Sequence, residues 1–123
     1  MRNSGCPRIY AGEDVTTPRK TKVPWREFLS DNRNETPFAT NHFQTAARAR
    51  KFFRELEKAG ATQVTVSNVM DEPFRLRTEG GAYADTVHFC IRPKNYDALP
   101  VVAREKPDTF GPTDCGCFAA WWD

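Results

Sequence analysis

The sequence predicts an α+β fold, a two-layer sandwich of ferredoxin-like type (βαββαβ or αββαβ) that is preceded by an extended N-terminal arm. Three observations predict it. One long stretch has apolar residues at helical spacing, other stretches alternate apolar and polar residues, and the elements follow in the order helix, strand, strand, helix, strand. The chain has 123 residues, which suffices for one hydrophobic core but not for two. We therefore divide it into an arm, residues 1–40, and a body, residues 41–123.

Two helices are predicted in the body. The first begins near Asn41, whose side chain can cap the first turn, and ends at Gly60. Its apolar residues recur every three or four positions and therefore share one face: Phe43, Ala46, Ala49, Phe53 and Leu56. The second helix covers residues 96–103, with Asn95 or Asp97 as its cap. Both helices can pack an apolar face against a sheet.

Three strands are predicted, over residues 62–69, 83–91 and 115–122. The face that the helices would cover contains Val64, Val66, Val87, Phe89 and Ile91. The opposite face would be open, and alternation places on it Gln63, Thr65, Ser67, Thr86, His88, Cys90 and, depending on register, Cys117 and Trp121. This face could bind a ligand, pair with a second copy or be covered by the arm. Residues 70–82 form a polar connection, and we expect its Phe74 and Leu76 to pack back onto the body.

The arm combines four prolines with scattered aromatic residues. We expect it to be extended and to dock on the body through Trp25, Phe28 and Phe38, with one short strand near residues 8–10. Four cations close to Trp25 form a basic patch: Arg19, Lys20, Lys22 and Arg26. Such a patch can contact phosphates and a stacked base. The net charge of the whole chain is only +2, which does not by itself indicate a nucleic-acid-binding protein. The arm could therefore bind nucleic acid or simply be exposed to solvent.

The expected compartment is the cytoplasm. No run approaches the about 20 apolar residues that span a bilayer, and the first ten residues lack the apolar core of a signal peptide. We therefore expect no membrane contact, and we expect the four cysteines to be reduced. A disulfide is the weaker interpretation, and a bridge between Cys115 and Cys117 would close a strained ring.

Histidine and cysteine side chains on the strands point to two kinds of chemistry. Cys90 or Cys117 could act as a nucleophile with His42 or His88 as the base. His88, Cys90, Cys115 and Cys117 could together bind zinc if their strands were neighbours. Against zinc, each pair is separated by only one residue, and a strand lies between these two strands in the ferredoxin-like order. The simpler interpretation is that the cysteines are small, half-buried hydrophobic residues. No glycine-rich phosphate loop or dinucleotide motif is present, so no cofactor is predicted.

The segment EGGAYADTV, residues 79–87, and the terminal WWD, residues 121–123, resemble a group of short uncharacterised bacterial and phage-type α/β proteins. These proteins share an "EGGxYADT" strand and a C-terminal "WWD". The resemblance covers about residues 43–123 and implies the same order of helices and strands, but no activity. The segment Cys115-Gly116-Cys117 is less typical of the group, which further disfavours a zinc site. Since such proteins often occur on mobile or phage-like genomes, an inhibitor of a host defence system is an alternative function.

These features favour a small non-enzymatic cytoplasmic module that binds a protein or a second copy of itself, for example as a homodimer, through the open sheet face and the arm. Large aromatic residues dominate the energetics of such interfaces. The predicted contact residues are Trp25, Thr65, Tyr83, His88, Trp121 and Trp122. The alternatives are the host-defence inhibitor, a small enzyme that uses cysteine and histidine, and nucleic-acid binding through the basic arm.

Overall fold

Five strands form one antiparallel sheet in the computed structural model, which describes residues 22–114 and 116–123. The strands are β1 (Val23–Pro24), β2 (Thr62–Ser67), β3 (Thr86–Cys90), β4 (Thr109–Asp114) and β5 (Cys117–Trp121). Their order across the sheet is β1-β2-β3-β5-β4, and each neighbouring pair is antiparallel. The strands β2, β3 and β5 therefore form the centre of the sheet.

Helices form the second layer. They are α1 (Trp25–Leu29), α2 (Thr40–Phe43), α3 (Ala46–Lys58), α4 (Pro73–Glu79) and α5 (Ala98–Ala103). The long helix α3 contacts both β2 and α5. The buried residues of α1, α2, α3 and α5 all belong to one core. Helix α4 has no buried residues. Among the described residues, no helix has the length and apolar character that crossing a membrane requires.

The helix predicted from Asn41 is in fact two helices, α2 and α3, so the expectation of one continuous helix up to Gly60 is wrong. The backbone of Gln44 has a φ of 67° and ends α2. The side chain of Thr45 then accepts a hydrogen bond from the backbone N–H of Arg48 and caps α3. This break leaves the first N–H groups of α3 in need of an acceptor, and the hydroxyl of Thr45 supplies one.

The α+β class with an antiparallel sheet is confirmed, whereas the ferredoxin-like arrangement is not. The sheet contains an additional strand, β4, which forms a hairpin with β5. Pro112 argues against a strand in sequence, but β4 lies at the sheet edge, where a missing N–H is tolerated. In addition, β3 pairs directly with β5 and places Cys90 opposite Cys117. The expectation that another strand separates these two is therefore wrong.

The core lies between the helices and the sheet. It contains the five residues predicted for the covered face, since Val64, Val66, Val87, Phe89 and Ile91 are all buried. This agreement means that the period-two pattern of β2 and β3 points their apolar side chains toward the helix layer. Their alternate residues consequently lie on the other side of the sheet.

The described part of the arm, residues 22–40, belongs to this core. β1 pairs with β2 at the sheet edge. Trp25 stacks on Phe53 with 5.3 Å between ring centroids, and Phe38 meets Trp122 edge-on at 5.7 Å. The strand predicted near residues 8–10 lies outside the described residues.

The connection between β2 and β3 contains α4, although the sequence predicts only a polar connection there. Pro73 lies in its first turn, and Gly80 ends it with a φ of 85°. Phe74 and Leu76 are 67% and 43% exposed. The expectation that they pack back onto the body is wrong, because α4 buries none of its residues.

Candidate functional site

The side of the sheet opposite the helix layer is called the open face below. It carries Thr65, Ser67, Thr86, His88, Cys90, Gly111, Cys117, Ala119 and Trp121. Across the central strands, Thr65 lies opposite His88, and His88 lies opposite Ala119. In the next row on this face, Thr86 lies opposite Trp121. The pattern confirms that polar and sulfur-containing residues share one face, but a register shift between Thr62 and Thr65 interrupts the predicted alternation at Gln63.

His88 lies at the centre of the open face and is hydrogen-bonded to Ser67. The distance between His88 Nε2 and Ser67 Oγ is 2.7 Å. Burial, and to a smaller extent the cation of Lys22, lowers the pKa of His88 from 6.5 to about 4. The imidazole is therefore neutral at pH 7, and its contact with Ser67 is a hydrogen bond between neutral groups.

Two polar atoms at this centre are buried and lack a hydrogen-bond partner among the residues that the structure describes. They are the Nδ1 of His88 and the Oγ1 of Thr65. Most buried polar atoms in native proteins are hydrogen-bonded, because leaving one unpaired costs about 1–3 kcal/mol. Within residues 22–114 and 116–123, the polar atoms at the centre of the open face therefore form fewer hydrogen bonds than those of a typical protein core.

Trp121 is the largest side chain on the open face, and a buried carboxylate holds its indole ring. The Nε1 of Trp121 donates a hydrogen bond of 3.1 Å to Asp85 Oδ2. Asn68 Nδ2 and Thr86 Oγ1 each donate a bond of 2.9 Å to Asp85 Oδ1. Asp85 is only 8% exposed, whereas Trp121 is 36% exposed. The network therefore fixes the orientation of an aromatic surface that solvent can reach.

Sequence reasoning missed the role of Asp85. An acidic residue next to the polar connection 70–82 is typical of a solvated loop. The sequence signal that could have found it is its position directly before β3, where Val87 and Phe89 alternate with Thr86, His88 and Cys90. A carboxylate at the start of a central strand is close to the neighbouring strand ends, where Asn68 and Trp121 lie.

Cys90 and Cys117 form a disulfide on the open face, so the expectation that they are reduced is wrong. They lie directly opposite each other in the β3–β5 register, with Cα atoms 3.9 Å apart. In this state neither sulfur is a thiolate, so neither can act as the predicted nucleophile or bind zinc. Cys115, another predicted zinc ligand, lies outside the described residues.

The structure does not gather a metal site or a complete catalytic set in the part of the chain that it describes. No group of three or more His, Cys, Asp or Glu residues there could hold a metal ion. His88 contacts the hydroxyl of Ser67, but no described carboxylate binds its Nδ1. A serine–histidine pair without an orienting acid lacks the third member of the usual triad. His42 is the other candidate base, and its Nε2 lies 2.7 Å from Glu105 Oε1.

Two predicted contact residues, Trp25 and Trp122, are core residues. They are 3% and 2% exposed, so neither can contact a partner unless the core opens. Tyr83 is half-buried, and its hydroxyl accepts a hydrogen bond of 3.3 Å from the backbone N–H of Thr40. Burial raises the pKa of Tyr83. Of the predicted contact residues, Thr65, His88 and Trp121 lie together on the open face.

The predicted basic patch is not assembled among the described residues. Arg19 and Lys20 lie outside them, and Lys22 is exposed. Arg26 donates hydrogen bonds of 2.9 and 2.8 Å to the carboxylate of Glu57. Its guanidinium also lies 4.4 Å from the ring centroid of Trp25. Arg26 thus connects α1 to α3, and its charge is already paired.

Comparison with known proteins finds no match, since no family model, no curated protein and no solved structure matches the chain. The resemblance through EGGAYADTV and WWD therefore stays a prediction.

Proposed function

We propose that the protein is a non-enzymatic protein-binding module that pairs with a second copy of itself through the open face. The observation that carries this proposal is the state of Trp121, which is 36% exposed yet hydrogen-bonded to the buried Asp85. An aromatic side chain whose orientation is already fixed loses little conformational entropy when it binds. Aromatic residues of this kind are the usual energetic centres of interfaces.

The shape of the open face suits pairing with itself. Ala119 lies opposite Gly111 in the β4–β5 register, so the face is shallow at this point. Trp121 lies two residues farther along β5 and on the same side of the sheet. In a two-fold arrangement, each Trp121 can cover the shallow region of the second copy. Small residues also permit the spacing of about 10 Å that face-to-face sheets adopt.

The area of the open face predicts the strength of this pairing. Five strands spaced about 4.8 Å apart, with about five residues of 3.4 Å each, give a face of about 400 Å². A pair of such faces buries about 800 Å², below the about 1,200 Å² of stable complexes. We therefore expect a reversible dimer with a dissociation constant in the micromolar range or weaker.

Sedimentation equilibrium of the full chain tests the proposal. We expect the average mass to rise from monomer toward dimer as the concentration increases from about 1 µM to 1 mM, the range that a weak interface requires. Trp121→Ala should weaken the dimer by about 30-fold, the equivalent of about 2 kcal/mol for an interface centre. Tyr96→Ala is the matched control, because Tyr96 is 58% exposed and lies outside the open face.

Three results would contradict the proposal. One is a protein that stays monomeric over the whole concentration range. Another is a Trp121→Ala variant that is folded by circular dichroism and dimerises like the unmodified chain. The third is a loss of dimer in Tyr96→Ala alone, which would place the interface elsewhere.

The cytoplasm remains the proposed compartment, and it bears on the Cys90–Cys117 pair. The sheet register holds the two sulfurs close together, which favours the disulfide, whereas the glutathione pool of the cytoplasm favours thiols. Alkylation of thiols in intact cells, followed by mass analysis, measures which state predominates. A fully oxidised pair in every molecule would contradict a cytoplasmic location.

A further inference from the structure

The outward side of α3 carries a row of cations, which we call the basic stripe. It consists of Arg50, Lys51, Arg54 and Lys58. Their spacings of three and four residues place them on one side of the helix, opposite the buried Ala49, Phe53 and Leu56. Three of the four side chains are exposed and that of Arg50 is partly exposed. The basic stripe faces away from the sheet and is therefore separate from the open face.

The acidic residues of α3 do not neutralise the basic stripe. Glu55 is paired with Arg104, and Glu57 is paired with Arg26. Within the described ranges, no member of the stripe forms an ion pair. Both carboxylates that could have formed pairs along the helix are directed to cations on other elements.

The stripe also retains repulsion between its own members. Arg50, Arg54 and Lys58 follow one another at intervals of four residues, a spacing at which like charges destabilise a helix. An anion bound along the helix would relieve this repulsion. The net charge of +2 for the whole chain conceals the stripe, because acidic residues elsewhere offset it.

We propose that the basic stripe binds the phosphate backbone of double-stranded DNA without reading its base sequence. From Arg50 to Lys58 the stripe spans about 12 Å at 1.5 Å per residue, which matches the about 12 Å width of the major groove. A helix that lies across the groove can therefore bring the four cations near phosphates on its two edges.

The residues around the stripe argue against other polyanions. Base stacking on a single strand needs exposed aromatic rings, but Phe52 and Phe53 of α3 are buried. Insertion into an anionic membrane needs large apolar residues beside the cations, but the outward side of α3 offers only Ala47. Backbone contact with a duplex requires neither feature.

Fluorescence anisotropy with a labelled 20-base-pair DNA duplex of arbitrary sequence tests the proposal on the full chain. Four phosphate contacts predict a slope of about −3.6 for log K against log salt, or about 150-fold weaker binding at 200 mM than at 50 mM salt. Replacing three stripe residues by glutamine should reduce the slope to about −0.9 and weaken binding at 50 mM by at least about tenfold. That variant is Lys51→Gln/Arg54→Gln/Lys58→Gln.

Two variants with the same change in charge serve as controls. The surface control changes exposed cations outside α3 and is Arg77→Gln/Arg92→Gln/Lys94→Gln. The arm control changes the sequence-predicted patch and is Arg19→Gln/Lys20→Gln/Lys22→Gln. We expect both to keep the steep salt slope of the unmodified chain.

Four outcomes would overturn the proposal. The first is no binding of the unmodified chain at 50 mM salt, and the second is a stripe variant that binds as tightly as the unmodified chain. The third is a control variant that loses as much binding as the stripe variant. The fourth is polyglutamate that competes as effectively as unlabelled duplex. The last outcome would identify an acidic protein as the better partner. Because the stripe and the open face lie on opposite sides, failure here leaves the dimer measurement unaffected.

Discussion

The disulfide between Cys90 and Cys117 should contribute strongly to the stability of the sheet. It joins residues 27 positions apart, and its removal frees the unfolded chain from a closed loop. For a loop of this length, the lost constraint corresponds to about 12 cal/mol/K, or about 3.5 kcal/mol at 25 °C. Typical domains have a free energy of unfolding of only about 5–15 kcal/mol. Reduction should therefore be detectable without unfolding the protein, since β3 and β5 also pair through their backbones.

Urea denaturation with and without a reductant measures this contribution. With an m value of about 1–3 kcal/mol/M, reduction should lower the midpoint by about 1 M or more. Cys90→Ala/Cys117→Ala should start from the lower midpoint and not respond to the reductant. Cys6→Ala/Cys115→Ala is the control and should respond like the unmodified chain. If the reductant has no effect on the unmodified chain, or if the effect disappears in the control, the β3–β5 register described here is incorrect.

Three further predictions concern single side chains. Because the pKa of His88 is about 4 when folded and about 6.5 when unfolded, the unfolded chain binds more protons between these values. Its contribution to stability is therefore complete above pH 6.5 and is lost as pH falls toward 4. Urea titrations at several pH values should show this loss in the unmodified chain and less of it in His88→Gln. If the free energy of unfolding depends equally on pH in both proteins, the imidazole is not buried as described. Thr45→Ala should lower the free energy of unfolding by about 1 kcal/mol, whereas Asn41→Ala should have little effect, and the reverse order would restore the helix start predicted from sequence. Ser67 should not react with a fluorophosphonate probe, because no described acid orients His88; rapid labelling that is lost in Ser67→Ala would favour an enzyme.

The layered arrangement could be predicted from the sequence because it depends on periodicity. Val64 and Val66 on one strand, and Val87 and Phe89 on another, alternate with polar residues, and this local pattern decides which side chains enter the core. The helical spacing of α3 is equally local. The same alternation places Trp122 on the side of the buried Ala120, so its burial was also within reach of sequence reasoning.

Strand order could not be predicted, because periodicity does not specify which strands become neighbours. The disulfide follows from the pairing of β3 with β5, and β4 lies at the sheet edge beyond β5. Pro112 concealed β4, since proline disfavours a strand except at an edge. The break at Gln44 was likewise hidden, because the apolar spacing continues across it.

The most informative features of the open face lie between these two cases. Alternation places Thr65 and His88 on one side, Trp121 joins them only in one register, and the structure brings all three together. Their hydrogen-bond partners depend on the neighbouring strands, so the contacts of His88 with Ser67 and of Trp121 with Asp85 required three-dimensional structure. Alternation therefore predicts which face a residue lies on, but the neighbouring strands decide which hydrogen bonds it forms.

Mapping of backbone amide chemical shifts by NMR, as the protein is diluted from dimer to monomer, measures directly which side of the sheet meets the second copy. We expect the changes to concentrate at Thr65, His88, Ala119 and Trp121, with α3 unaffected. Changes centred on α3 or α5 instead, or none anywhere across the dilution series, would contradict the open face as the contact surface.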